Sequence, residues 1–276
     1  MATRRYAIVT GAASGLGRAI AVELAHRDWH VALADVNEVG SQETLALVRQ
    51  AGGEGQVEHL DVTKPEEWRA LRDKLQTSWG ELDLLVNNAG VGVGGEVGQL
   101  PLEDWQWIIN INLYGAIYGC HTLIDWMKKN PRGAHIVNIA SLAAIVSAPG
   151  MAPYNVTKAG MLSFSETLYG ELKPFNIGVT GVCPAFFQTN IVRDGRFQSN
   201  GQRKMASRLM SSSRVTAEHV AKRIVRAVER NQLYVFVPAI ASIFWRLKRL
   251  MPRVLLNMIA RRNAREAAAA VVESKA

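Results

Sequence analysis

The chain has 276 residues, 48% of them hydrophobic, with two cysteines and a formal net charge of +8. That size and apolar content suffice for one large core, and an α/β sheet of this length is commonly a single domain. Cys120 and Cys183 form neither a disulfide framework nor a metal-ligand pattern, and no apolar stretch reaches the roughly 18 residues of a membrane-spanning helix. Both read as small buried apolar side chains, and no metal site is expected.

The Met-Ala-Thr-Arg-Arg start runs directly into an apolar strand at 6–10, from which no signal peptide and a cytoplasmic location are expected. The strand leads into Thr10-Gly11-Ala12-Ala13-Ser14-Gly15-Leu16-Gly17, and a helix follows over Arg18–Arg27. A strand, a glycine-rich turn and a helix hold a dinucleotide pyrophosphate against backbone N–H groups at the helix N-terminus. A second strand at 30–35 ends at Asp35, roughly 20 residues past the turn, where a carboxylate accepts hydrogen bonds from an adenosine ribose. Alone, Asp35 also reads as a turn former or helix cap.

Further apolar runs fall near 56–60, 82–86, 134–140, 176–182 and 233–237, alternating with helical segments that include one at Trp105–Ile117. The alternation predicts a parallel sheet with helices on both faces and a ligand crevice beyond the carboxyl ends of the strands. Asp35, Asp61, Asn88, Ser141 and Pro184 all fall at or just past strand ends, so one crevice collects them. Tyr154 and Lys158 are four residues apart on one helix face, with Ser141 thirteen residues upstream of the tyrosine. At that spacing a lysine ammonium can press against a tyrosine hydroxyl and favour its phenolate, a proton carrier. Singly, Ser141 also reads as a helix N-cap, Asn112 as an ordinary polar residue of its helix, and Asn88 as a turn former.

From about Arg5 to about Val237 the sequence resembles the short-chain dehydrogenase/reductase family of the Tyr-x-x-x-Lys type. The resemblance rests on Thr10-Gly-x3-Gly-x-Gly17, Asp61, Asn87-Asn88-Ala89-Gly90, Asn112, and Ser141 with Tyr154 and Lys158. It implies a Rossmann-like doubly wound parallel sheet of about seven strands over 1–238 and a substrate lid at 186–214. It also implies hydride transfer between a nicotinamide cofactor and an alcohol or ketone, in a homodimer or homotetramer. Gly11, Ser14, Gly15, Leu16, Gly17, Asp35, Asp61, Val62, Asn88, Ala89, Gly90, Tyr154, Lys158, Pro184 and Thr189 are the implied cofactor contacts. Ser141, Tyr154, Lys158 and Asn112 are the implied catalytic set. Tyr154 carries the proton and is acidified by Lys158, Ser141 holds the reacting oxygen, Lys158 binds the ribose, and Asn112 anchors a water.

Asp35 favours NAD over NADP, because its carboxylate repels a 2′-phosphate and Ser14, Val36 and Asn37 supply no compensating cation. Arg18 is the one nearby cation. Ala185 departs from the family pattern, standing where glycine is common and where a positive φ would be disfavoured. Val91, Val93, Leu142, Ile145, Met151, Phe186 and Phe187 point to a lipophilic substrate rather than a sugar.

Charge is uneven along the chain. From Arg203 onward sixteen Lys and Arg face four Asp and Glu, a balance of +12, while the preceding residues carry sixteen against twenty, a balance of −4. Apolar residues recur at helical spacing from Ile240 to Ile259, interrupted by Pro252 and interleaved with arginine and lysine, which predicts two short amphipathic helices in a basic extension over 239–276. Residues 240–262 have three readings: an anionic membrane surface, packing over the chain's own cleft, or a subunit contact. No nucleic acid is expected, since no reading motif accompanies the charge. The alanine-rich end, 264–276, is expected to fray. A catalytically weak NAD-binding adaptor, acting at a membrane or on a protein partner through this tail, is the alternative function.

Overall fold

The computed structural model describes residues 4–187 and 191–273. In chain order the elements are β1 (Arg5–Thr10), α1 (Gly15–Ala25), β2 (Trp29–Asp35), α2 (Glu38–Gln50), β3 (Glu54–His59), α3 (Pro65–Trp79), β4 (Leu84–Asn87), β5 (Val93–Gly94) and α4 (Leu102–Ile109). There follow α5 (Gly115–Met127), β6 (Ala134–Ile139), α6 (Ala143–Val146), α7 (Ala152–Leu172), β7 (Ile177–Pro184) and β8 (Arg196–Phe197). The chain continues through α8 (Asn200–Ser211), α9 (Ala217–Glu229), β9 (Tyr234–Val237), α10 (Ala241–Leu250) and α11 (Pro252–Glu273).

Seven strands form one parallel sheet in the order β3-β2-β1-β4-β6-β7-β9. The chain winds outward from β1 to β3, then returns to the middle and winds the other way from β4 to β9. The order reverses between β1 and β4, the switch point at whose carboxyl ends open α/β sheets bind their ligands.

Strand side chains alternate between two cores, as a period of two requires. Ala7, Val9, Val31 and Leu33 join Ile20 and Leu24 of α1 and Val220 and Ile224 of α9 on one face. Ile8, Ala32 and Leu85 join Trp68 of α3, Leu123 of α5 and Leu168 of α7 on the other. Both faces of the central strands are buried, so these strands read as continuous apolar runs.

The Trp105–Ile117 segment is not one regular helix. α4 gives way to a π-helical turn at Asn110–Tyr114 before α5 begins. α1 starts at Gly15, three residues ahead of the expected Arg18, because the glycine turn supplies its first turn. Two helices meet at Pro252 as the pattern predicts, but the second runs on to Glu273 rather than fraying from 264. A second, two-stranded parallel sheet of β5 and β8 ties the expected lid region to the segment after β4. An Arg196–Asp104 ion pair at 2.8 Å reinforces it.

Candidate active site

The glycine turn is shaped by close backbone approach. Gly11 has φ +64 and Gly15 φ +54, left-handed values that a Cβ disfavours. A Cβ on Gly17 would lie 2.1 Å from the Gly11 carbonyl oxygen, so the first turn of α1 packs directly on the loop before it. Ser14 is the N-cap residue in extended conformation, yet its side chain makes no capping bond and no acidic residue stands in the first turn. Leu16 turns its side chain into the core and contributes only main chain to the turn. The N-terminal end of α1 therefore presents backbone donors that no side chain caps, with open space over Gly15, and it suits a pyrophosphate.

Asn88 fastens this turn to β4: its Nδ2 donates to the carbonyls of Thr10 (2.8 Å) and Gly11 (3.2 Å). The Thr10 hydroxyl accepts from the amides of Asn88 (2.9 Å) and Ala89 (3.0 Å) and donates to Val86 O. Asp35 closes the other side, accepting from Ala13 N (3.0 Å) and Asn37 N (2.9 Å). Arg18 is occupied: it pairs with Glu43 at 2.8 Å and donates to Ala13 O and to the Thr44 hydroxyl. Asp61 makes an Asx-type turn, accepting from the amide and hydroxyl of Thr63. Val62 is buried under Gly115, and its carbonyl accepts from Trp68 Nε1.

Pro153 in the first turn of α7 fixes the helix entry and places Tyr154 one turn before Lys158. Lys158 is 3% exposed, and its Nζ donates to Ile139 O at 2.8 Å and lies 5.7 Å from the Tyr154 ring centroid. Burial lowers the Lys158 pKa to about 8, against a small opposing influence of Cys183. Burial also raises Tyr154 above the ordinary phenol value, with hydrogen bonding to Ser141 working the other way. The expected acidification of Tyr154 by Lys158 is thus not a property of the polypeptide alone, because desolvation is the larger effect.

The N-cap of α6 is Leu142 and not Ser141. The Ser141 Oγ accepts from Ala143 N at 3.1 Å, two residues on, and the same side chain hydrogen-bonds Tyr154.

Asn112 lies within the π-helical turn, 1% exposed, and clamps Val91 twice: Oδ1 accepts from Val91 N (2.8 Å) and Nδ2 donates to Val91 O (2.9 Å). A Cβ on Gly90 would stand 3.2 Å from Asn112 Oδ1 and 3.5 Å from Lys158 Nζ, so the three converge. Thr157, absent from the sequence reading, links them: its hydroxyl accepts from Asn112 Nδ2 (3.3 Å) and donates to Tyr154 O (2.9 Å). Its neighbour Lys158 was the only available signal. Thr10 was likewise read only as the start of the glycine motif, since a hub of three hydrogen bonds across two strands leaves no local pattern.

Pro184 ends β7 and its carbonyl accepts from Leu142 N, which ties the Ser141 segment to this strand. Ala185 has no positive φ, and its amide donates to Val237 O at 2.7 Å. Alanine therefore fits here as an extension of the β7–β9 pairing, and the strain expected of it does not arise. Thr189 lies outside the described residues. Among the described residues no cluster of three metal-ligating side chains exists and no helix is long and apolar enough to cross a membrane.

A parallel sheet with a glycine-lined helix start at its switch point, and a Ser-Tyr-Lys set at the same edge, define a Rossmann-type α/β fold with a Tyr-x-x-x-Lys pair beside its switch point. The chain belongs to the short chain dehydrogenase family, which it matches over residues 5–199. It is 35% identical over 182 residues to a cyclopentanol dehydrogenase of Comamonas testosteroni, covering 66% of this chain and 72% of that one. It is 29% identical over 255 residues to the protein named EphD of Mycobacterium tuberculosis, covering 90% of this chain but only 43% of that protein's length. Among solved structures, a short-chain dehydrogenase/reductase of Burkholderia phymatum in complex with NAD superposes with TM-score 0.83 at 32% identity, covering 89% of this chain and 92% of the other.

Proposed function

We propose that this protein interconverts a lipophilic secondary alcohol and its ketone with NAD(H). The observation that carries the reading is the convergence of Ser141, Tyr154 and Lys158 beside the glycine turn. Gly11, Ser14, Gly15, Leu16 and Gly17 would hold the pyrophosphate, Asp35 the adenosine ribose, Asp61 and Val62 the adenine end, and Asn88, Ala89 and Gly90 the middle of the cofactor. Pro184, Tyr154 and Lys158 would border the nicotinamide end.

When bound, the nicotinamide supplies the hydride acceptor or donor. The chain's own residues handle the oxygen and the proton. Ser141 donates a hydrogen bond to the reacting oxygen where charge develops, and Tyr154 removes the alcohol proton or returns it to the carbonyl. Lys158, held by Ile139 O, favours the phenolate through its charge. Asn112 positions the Val91 and Thr157 segments on either side, and in this reading anchors the water that exchanges the proton with solvent.

NAD is favoured over NADP because Asp35 repels a 2′-phosphate while Arg18, already paired with Glu43, is not free to offset it. The NAD complex of the Burkholderia relative supports the same choice. Val93 and Ile145 are buried in packing and Phe187 joins the core of α1 and α9 instead of the substrate side, which leaves Val91, Leu142, Met151 and the exposed Phe186 as the apolar surface beside the site. The cyclopentanol dehydrogenase relationship supports an apolar alcohol. The family likeness supports assembly as a homodimer or homotetramer. A catalytically weak adaptor gains nothing from Ala185, whose backbone is unstrained. Following nicotinamide absorbance across a panel of cyclic and long-chain alcohols and ketones tests the proposal; no turnover of any of them with NAD or NADH would refute it.

A further inference from the structure

Eight of the eighteen exposed large apolar side chains among the described residues lie between Ile240 and Met258. On α10 they have a definite geometry. Ala241 is buried, and Trp245 packs against Tyr234 and Phe236 of β9 and joins Leu142, Ala144 and Ile145 beside the site. Lys248 reaches Ser147 at 3.4 Å along the same seam. One strip of the helix is thus fixed to protein. Ile240, Ile243, Phe244, Leu250 and Met251 occupy an adjoining arc at helical spacing, and all are exposed, Leu250 at 79%. Arg246 runs along the edge of that arc and Arg253 follows at the start of α11, both exposed and neither in an ion pair among the described residues, while Arg249 stacks over Trp245 at 4.6 Å toward the fixed strip. Between Glu229 and Glu266 there are eight Lys and Arg and not one acidic residue.

An apolar arc edged by cations fits the boundary of an anionic bilayer, where apolar side chains enter the acyl region and guanidinium groups meet headgroups. A second copy of the same face fits badly. A two-fold contact sets a patch against itself, and this patch offers exposed arginines with no acidic residue between Glu229 and Glu266 to pair with them. Packing over the chain's own cleft is already accounted for by the Ala241–Trp245 strip, and the arc remains exposed after it.

We propose that the outer arc of α10, with the first turn of α11, seats this protein on an anionic lipid surface. α10 follows β9 at the carboxyl edge of the sheet and packs on α6, which starts two residues after Ser141. The docked face therefore lies beside the catalytic edge, and a bilayer-dissolved alcohol or ketone is the substrate class it serves. Only this last consequence rests on the function proposed above.

The test uses the full chain. It should co-sediment with phosphatidylcholine vesicles containing phosphatidylglycerol, more weakly with phosphatidylcholine alone, and less as salt rises. Arg246→Glu with Arg253→Glu should weaken binding by about twentyfold or more, since each surface cation is worth about fivefold. Ile243→Ser with Leu250→Ser should weaken it as well, and both double variants should keep the parent's thermal unfolding temperature. Equal binding to neutral and anionic vesicles, or wild-type binding by folded double variants, would overturn the proposal. So would a serine variant that dissociates an oligomer on gel filtration while vesicle binding is unchanged. NADH-linked turnover of a water-soluble alcohol, measured without vesicles, reports separately on the enzymatic reading. Faster turnover of a long-chain ketone in anionic than in neutral vesicles is expected of the parent and not of the arginine variant.

Discussion

Lys158 Nζ donates a 2.8 Å hydrogen bond to the main-chain carbonyl of Ile139, so the ammonium is held against the end of β6 and away from water. Two consequences of that burial nearly cancel in stability. Relieving the charge recovers about 3 kcal/mol, from a pKa moved from 10.5 to about 8. Leaving Ile139 O without a donor costs about 1–3 kcal/mol. Lys158→Met should therefore stay within about 1–2 kcal/mol of the parent in urea unfolding while losing turnover by about 10²-fold or more. A variant that unfolds would instead make Lys158 a structural residue.

Tyr154→Phe removes only the phenolic oxygen. Turnover should fall by about 10²-fold or more with NAD affinity little changed, as expected when an interaction made in the transition state is lost. Titrating NAD into the variant by calorimetry, alongside single-turnover kinetics, separates the two; unreduced turnover would take the proton role from Tyr154.

The pH profile follows from Lys158. With a pKa of about 8 it is cationic at neutral pH and loses its charge above that value, unlike an ordinary lysine. In ketone reduction Tyr154 starts protonated and gains negative charge as it gives up its proton, so loss of the Lys158 charge should lower kcat/KM for reduction about tenfold per pH unit above pH 8. A profile rising steadily to pH 10 would mean that the cation is not required.

The strands and the site were legible in the sequence to different degrees. β1, β2, β4 and β7 are central strands buried on both faces, so their apolar runs stand out whatever surrounds them. The glycines, Asn88 and Lys158 were recognisable because close approach and chemistry restrict their identity. The π-helical turn around Asn112 was not, since its signal is one shifted hydrogen-bond register inside an apolar helix. The carbonyl partner of Lys158, the Thr157 link and the engagement of Arg18 by Glu43 all depend on segments distant in sequence, and periodicity carries no trace of them.

Cofactor preference tests the reading of Asp35. Asp35→Ser with Val36→Arg removes a carboxylate and adds a cation on an exposed residue. NADP should gain on NAD by at least about tenfold in KM ratio. The Asp35 carboxylate also receives Ala13 N and Asn37 N, so some loss of affinity for both cofactors is expected. An unaltered NAD preference would shift attention to Arg18.

His135 gives a prediction about stability. It is 6% exposed, and burial lowers its pKa from 6.5 to about 4. The Thr180 hydroxyl donates to Gln232 O, so its oxygen is the acceptor for His135 Nε2–H at 2.8 Å, and the neutral imidazole is satisfied. Between pH 6.5 and 4 the unfolded chain binds a proton that the folded chain refuses, and stability must fall as pH drops through that window. At pH 4.5 the loss from this group is about 2 kcal/mol. His135→Gln keeps a donor for Thr180 but cannot titrate, so the difference in urea stability between pH 7 and pH 4.5 should shrink by about that amount. If the two proteins lose stability equally over this range, the acid sensitivity arises from other groups and the imidazole is not refusing the proton.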